Sequence, residues 1–160
     1  YTPLQSATGL FWINITMLIS YFIWGYILPK ISDYGINSIK LIKLGLPISY
    51  FSLSLIIYFG NNAGAFLFTI YIMTSIVISL TQPAIALNFS KNLAGKSLTS
   101  FNVFLFSGTF FVQWGIGLVI DLCNNKGFDI LSSYRISFSL FLFLCVLSYI
   151  FFIYLNKNEN

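Results

Sequence analysis

Apolar residues run through this chain in five long stretches, broken only by short polar loops. The stretches cover about 4–28, 39–59, 64–89, 98–120 and 134–155, and are labelled spans A to E. A bilayer's hydrocarbon core, about 30 Å thick, needs about 20 apolar residues in a helix. Every stretch meets that length. The pattern predicts an all-α integral membrane protein with five transmembrane helices, forming one membrane domain over 1–160 with a tail at 156–160. Pro29 is expected to close span A, because it lacks a backbone donor and crowds the preceding turn. Gly60-Asn61-Asn62 predicts a tight turn between B and C.

The polar positions inside the spans fall into stripes. In span D, Asn102, Thr109 and Gln113 stand at i, i+7 and i+11, within about 40° of one another on a helix, with Phe106 on the same side. In span C, Ser75, Ser79, Gln82 and Ala86 follow the same kind of spacing. Span A aligns Gly9, Thr16 and Ser20, with Asn14 to one side. Span B carries Gly45, Ser49 and Ser52, and span D also carries Gly108 and Gly115. Small and hydroxylated residues let membrane helices approach closely, so packing explains the A and B stripes and the D glycines. The C and D stripes contain amides, which pack poorly, and admit two readings, packing or the lining of a polar cavity. Gln82-Pro83 predicts a local break in span C, with the carbonyl near Ser79 set free as a hinge, a binding element or a plain kink. Span E is interrupted only by Ser137, Ser139, Cys145 and Ser148. Spans B and E are expected to face lipid.

Composition supports a lipid environment. Hydrophobic residues make up 58% of the chain and charged residues 8%, against about 25% charged in soluble domains. The net charge of +4 is scattered between the spans rather than gathered on one face, which sets aside nucleic-acid binding. Lys30, Lys40, Lys43, Lys91, Lys96 and Lys157 fall on one side of the predicted topology, and Lys126 and Arg135 on the other. The positive-inside rule then places the start of the chain outside and its end in the cytoplasm. Tyr1, Tyr26, Tyr134 and Tyr154 suit the headgroup zone. The chain starts at Tyr1 and has no signal-peptide pattern, so it is expected to be part of a longer membrane protein. Cys123 and Cys145 are too isolated for a zinc site or a disulfide framework, and the chain has no His. Neither a metal nor a cofactor is expected. Asp121 falls at the outer end of span D, and no ionisable residue sits at mid-membrane. Any proton-coupling residue is therefore expected elsewhere in the longer protein.

Two segments resemble the major facilitator superfamily. Gly25-Tyr26-Ile27-Leu28-Pro29-Lys30, followed by Gly35, is similar to its cytoplasmic loop motif, roughly Gly-x-x-x-Asp-Arg-x-Gly with basic residues after it. Gly25 matches the first glycine and Lys30 the basic position. Pro29 replaces the acid, and the second glycine is displaced to Gly35. Leu93-Ala94-Gly95-Lys96-Ser97-Leu98-Thr99-Ser100-Phe101-Asn102, leading into Phe110-Phe111-Val112-Gln113-Trp114-Gly115-Ile116-Gly117 and Asp121, looks like the loop and eleventh helix of bacterial members. The resemblance implies that A to E are helices eight to twelve, five of a six-helix half-bundle, with A, C and D on the central cavity. It also implies a permease of a bacterial inner membrane, working with a missing N-terminal half. Such a permease moves a small solute, alone or coupled to protons or another ion, by alternating access. Asn102, Thr109, Gln113, Ser75, Ser79 and Gln82 are the candidate cavity residues. Gly25, Lys30 and Gly35 would form the cytoplasmic latch. Two other classes compete: a non-catalytic membrane subunit of a larger complex, and a membrane-embedded enzyme. The enzyme reading lacks a His or a mid-membrane acid to serve as a base.

Overall fold

The computed structural model describes residues 2–157, except for the Ser32 side chain. Tyr1, assigned above to the headgroup zone, and residues 158–160 of the expected tail lie outside the described residues. The chain folds into α1 (Pro3–Ser32), α2 (Ser38–Phe59), a 3₁₀ turn (Gly60–Asn62), α3 (Ala65–Ser75), a 3₁₀ segment (Ile76–Leu80), α4 (Thr81–Asn88), α5 (Lys91–Asn125) and α6 (Ile130–Leu155). Among the described residues, five helical stretches are long and apolar enough to cross a membrane. The third comprises α3, the 3₁₀ segment and α4.

The helix ends follow local chemistry. Thr2 and Gln5 form a reciprocal capping box at α1, with Pro3 in the first turn, where its missing N–H costs nothing. Pro29 does not close this helix, which runs on to Ser32. A proline this close to the end removes one bond, to the Gly25 carbonyl, and the last turn survives. Closure comes instead at Gly35. Its φ of +76° lets the Ile36 N–H turn back to the Ile31 carbonyl at 3.3 Å, the six-to-one bond of a Schellman ending. Gly35 thus has a structural task independent of any loop motif. Asn37 caps α2 through the Lys40 N–H, and Asp129 caps α6 through the Ser132 N–H.

Span C breaks where Gln82-Pro83 predicts it. The α-helix tightens to 3₁₀ over Ile76–Leu80 and restarts at Thr81. Pro83 then stands in the first turn of α4, where it needs no donor. Span D differs more from expectation. The helix is 35 residues long, roughly 52 Å at 1.5 Å per residue. Lys91 and Lys96 belong to its first turns and not to a loop, and Asp121 and Cys123 to its last. Only Phe89 and Ser90 separate α4 from α5. Arg135 likewise belongs to α6 rather than to the loop before it.

The chain divides into two compact units, one comprising residues up to Ile56 with Asn62–Thr81, the other Ile57–Asn61 with Gln82 onward. In the first, α1, α2 and α3 with its 3₁₀ extension pack together. The buried seam of α2 is Ile42, Leu46, Ser49, Leu53 and Ile56, at i, i+4, i+7, i+11 and i+14, the spacing of a knobs-into-holes helix. Gly45 lets α2 approach Val77: a Cβ at position 45 would lie 2.7 Å from Val77 Cγ2. Span B thus has a packing face, as its stripe of small residues predicts, beside the apolar face expected to meet lipid. Its opposite face, with Leu44, Ile48 and Phe51, is exposed, but α2 supplies much of the core of its unit. The Gly45, Ser49 and Ser52 stripe is packing surface, as small residues at a helix contact should be.

In the second unit α5 packs on α6. A groove of about 260 Å³ between them is lined by Gly115 and Ile116 on one side and Ser137 and Leu140 on the other, and a Cβ at Gly115 would meet nothing within 4 Å. Ser133 donates to Asn124 Oδ1 at 2.7 Å, tying the end of α5 to the start of α6. Arg135 donates to the carbonyls of Ile57 and Tyr58, at 3.1 and 2.8 Å. A guanidinium on the last carbonyls of a helix meets orphan acceptors and the negative end of the dipole together. Most of α6, including Leu140, Phe143, Leu147 and Phe151, stays exposed.

Candidate functional site

A polar side chain on a membrane helix either satisfies itself on its own backbone or needs a partner. Many hydroxyls take the first course, although the buried Ser137 Oγ on α6 has no partner among the described residues. Thr8, Thr16 and Ser20 donate to carbonyls four residues back in α1, Ser79 to Ile76, and Thr109 to Leu105 at 2.8 Å. Such bonds cost a helix little and leave the residue without unmet need. Asn14 does the same through its amide, donating to Leu10 at 2.7 Å.

Asn102, Gln113 and Gln82 behave differently. Among the described residues none of these three amides makes a hydrogen bond. Gln113 and Gln82 are exposed and Asn102 is half-buried. Because α5 is one unbroken α-helix from Lys91 to Asn125, Asn102, Thr109 and Gln113 do share one face. The α5 residues that line the groove beside α6, chiefly Val112, Gly115, Ile116 and Val119, are centred about 100° round the helix from that stripe. The amide stripe therefore stands to the side of the face that α5 turns to α6. No hydrogen bond joins Gln82, on α4, to Asn102 or Gln113.

The span C stripe does not survive the 3₁₀ segment. At about three residues per turn, Ser79 comes roughly 120° round from Ser75, where an unbroken α-helix would hold them about 40° apart. Ser75 and Ser79 lie in the first unit, whereas Gln82, Asn102, Thr109 and Gln113 lie in the second. The alignment predicted for Ser75, Ser79, Gln82 and Ala86 requires a regular helix, and the break changes its phase.

At the α1–α2 junction, Lys30 Nζ lies 2.6 Å from the Tyr26 hydroxyl and 3.9 Å from the centre of that ring. Gly25 has open space around its Cα, and a side chain there would meet nothing within 4 Å. Among the described residues no cluster of His, Cys, Asp or Glu could hold a metal ion.

Sequence reasoning does not find the Arg135 clamp. The signal is present all the same: an arginine one turn into a span pairs with whatever helix end lies at its depth, and Gly60 marks such an end. A Cβ at Gly60 would lie 2.9 Å from an Arg135 nitrogen, and its φ is +54°. Comparison with family models, curated proteins and solved structures finds no match to this chain.

Proposed function

We propose that this chain is the C-terminal part of a secondary transporter of the major-facilitator type, with α1 to α6 forming helices eight to twelve of a twelve-helix permease. The observation that carries this reading is the free amide pair on α5. Two large amides on one face of an apolar helix, with no partner in their own unit, are costly against lipid and suited to a water-filled path or a solute. Asn102 and Gln113 would hydrogen-bond a small polar or amphipathic solute, with Gln82 as a third contact. Thr109 would add a hydroxyl that can exchange its bond to the Leu105 carbonyl for a ligand. The break before Pro83 supplies a flexible point in a cavity helix, and alternating access uses such points. Gly25, Lys30 and Gly35 would belong to the cytoplasmic latch. The protein would sit in a bacterial inner membrane with α1 starting outside and α6 ending in the cytoplasm. It would work with an N-terminal half and move its solute alone or with protons or another ion.

A non-catalytic membrane subunit is the second reading. It is favoured by the exposure of Phe104, Phe106, Phe110 and Phe111 along α5, a surface that a partner span could cover. Gln113→Leu separates the two. The change makes α5 more apolar, so insertion and expression should hold. A site that recognises its ligand through a hydrogen bond loses it when that partner goes. Uptake by the full-length protein, screened in vesicles against small polar solutes, should fall at least tenfold in the variant. Unchanged uptake and specificity would refute the site, and no uptake of any solute by the wild type would favour the subunit.

A further inference from the structure

We infer that the first unit carries a binding site for an anionic phospholipid in a side groove between α1 and α2. A cavity of about 400 Å³ opens there, lined by Ser20, Trp24, Leu44, Ile48, Met73 and Val77 among others. That volume lies within the range of about 300–1,000 Å³ usual for ligand pockets. Its walls are hydrocarbon in character. Its two hydroxyls are already bound to their own helices, Ser20 to Thr16 at 2.8 Å and Thr74 to Ile70 and Tyr71 at 2.9 and 3.0 Å. The indole N–H of Trp24, at one end of the lining, is the remaining polar group, so along its length the groove suits an acyl chain, with one donor placed toward a headgroup. Its lips, at Ile23, Leu44, Ile48 and Met73, are exposed, so the groove opens sideways, as a lipid site must.

The charge at one end selects the headgroup. On α2 the groove begins at Leu41, next to Lys40, and on α1 it ends at Trp24, six residues before Lys30. Six residues of helix are about 9 Å, so both lysines stem from the helix ends just beyond the groove, with the Lys30 ammonium folded back over Tyr26 on the neighbouring face of α1. Lys43, one turn along α2, falls on the face opposite the groove, and Asp33 is the only acid in the connection. Lys30 is held by Tyr26, and Lys40 makes a long bond of 3.4 Å to the Gly35 carbonyl. Both bonds engage lysine protons while leaving the positive charge in place. Lys30 and Lys40 against one aspartate favour an anionic headgroup, each basic residue near a membrane surface contributing a preference of about fivefold. The lysine asymmetry puts this end at the cytoplasmic leaflet, where anionic lipids attract basic segments. The inference rests on membrane insertion and not on transport.

Native mass spectrometry in detergent, with dioleoyl phosphatidylglycerol and dioleoyl phosphatidylcholine as competing probes, tests it. The wild type should retain phosphatidylglycerol at least fivefold better. Lys30→Gln with Lys40→Gln should bring the two lipids to near-equal retention. Met73→Trp, at the exposed lip, should fill the groove and reduce retention of both, and Ile48→Trp gives the same test from α2 should the first variant fold poorly. Equal retention of both lipids by the wild type would overturn the site. So would an undiminished preference in the double lysine variant, wild-type retention in the tryptophan variants, or a full-length protein that retains no lipid because another helix covers the groove.

Discussion

The two units are built from the same kind of sequence and pack in opposite ways. All eight well-buried hydrophobic side chains among the described residues, Ile42, Leu46, Leu53, Ile56, Ala63, Ile76, Val77 and Leu80, belong to the first unit. The second buries Ser133 and Ser137 instead and leaves its longest helix, α5, without one buried residue. Apolarity does not account for this, because lipid tails are as apolar as leucine. Close approach does. The first unit has Gly45 opposite a β-branched Val77, and a seam with heptad-like spacing. The second is joined by polar bonds at its ends, Ser133 to Asn124 and Arg135 to the end of α2, while at Gly115 between them an added Cβ would meet nothing within 4 Å.

The largest effect is therefore expected at Gly45. Gly45→Val should push α2 off the stiff, buried Val77 and cost about 1–3 kcal/mol, the range for overpacking a tight core. Gly108→Val, on a helix surface where an added Cβ meets nothing within 4 Å, should cost under about 0.5 kcal/mol. Thermal unfolding in detergent reads both. Equal losses would mean that the units do not differ in packing.

Arg135 offers the matching test in the second unit. Arg135→Gln gives up the charge, and its shorter side chain gives up the paired bonds to the Ile57 and Tyr58 carbonyls. Hydrogen bonds to charged groups contribute about 1.5–3 kcal/mol where buried, and this residue's exposure places the expected loss near the lower end. Hydrogen exchange should quicken at the α2 end and at the start of α6, and stay unchanged at the Gly45 contact. A uniform change would join the two units into one cooperative block.

A smaller effect belongs to Asp129. The Ser132 hydroxyl and backbone N–H hold its carboxyl below the usual carboxylate range. Since the folded value is depressed, the cap contributes stability above the unfolded carboxylate pKa and loses it as pH falls through the lower folded value. Asp129→Asn should remove that acid-side dependence while keeping the cap. An unchanged acid slope of α6 melting in that variant would assign the dependence elsewhere.

The five spans are legible in the sequence because length and apolarity alone decide whether a helix can cross a bilayer. Prolines are less legible. Pro29, Pro47 and Pro83 look alike in sequence, yet Pro29 and Pro47 stand inside regular helices while Pro83 follows a 3₁₀ segment. The cost of a proline depends on whether neighbouring groups take up the freed carbonyl, and spacing does not report that. The two faces of span B are legible to different degrees. The spacing of Gly45, Ser49 and Ser52 marks a packing face, because smallness governs contact, while counting polar interruptions reports only the apolar face opposite. The α5 stripe is readable because an unbroken helix preserves its angular arithmetic. The span C stripe is not, because the tightening at Ile76–Leu80 rotates everything after it.

The central claim is that the amide face of α5 meets water or solute and not lipid. A cysteine scan of the full-length protein, with Cys123 and Cys145 first replaced by Ser, tests it directly. Single cysteines at Asn102, Thr109 and Gln113 should react with a charged, membrane-impermeant thiol reagent in cells or in opened membranes, while those at Phe104 and Phe111, on the opposite face, should not. In the same series, a cysteine at Asn62 should react from outside and one at Asn92 only after permeabilisation. Unreactive cysteines at all three stripe positions, or equal reaction at Phe104 and Phe111, would contradict the account.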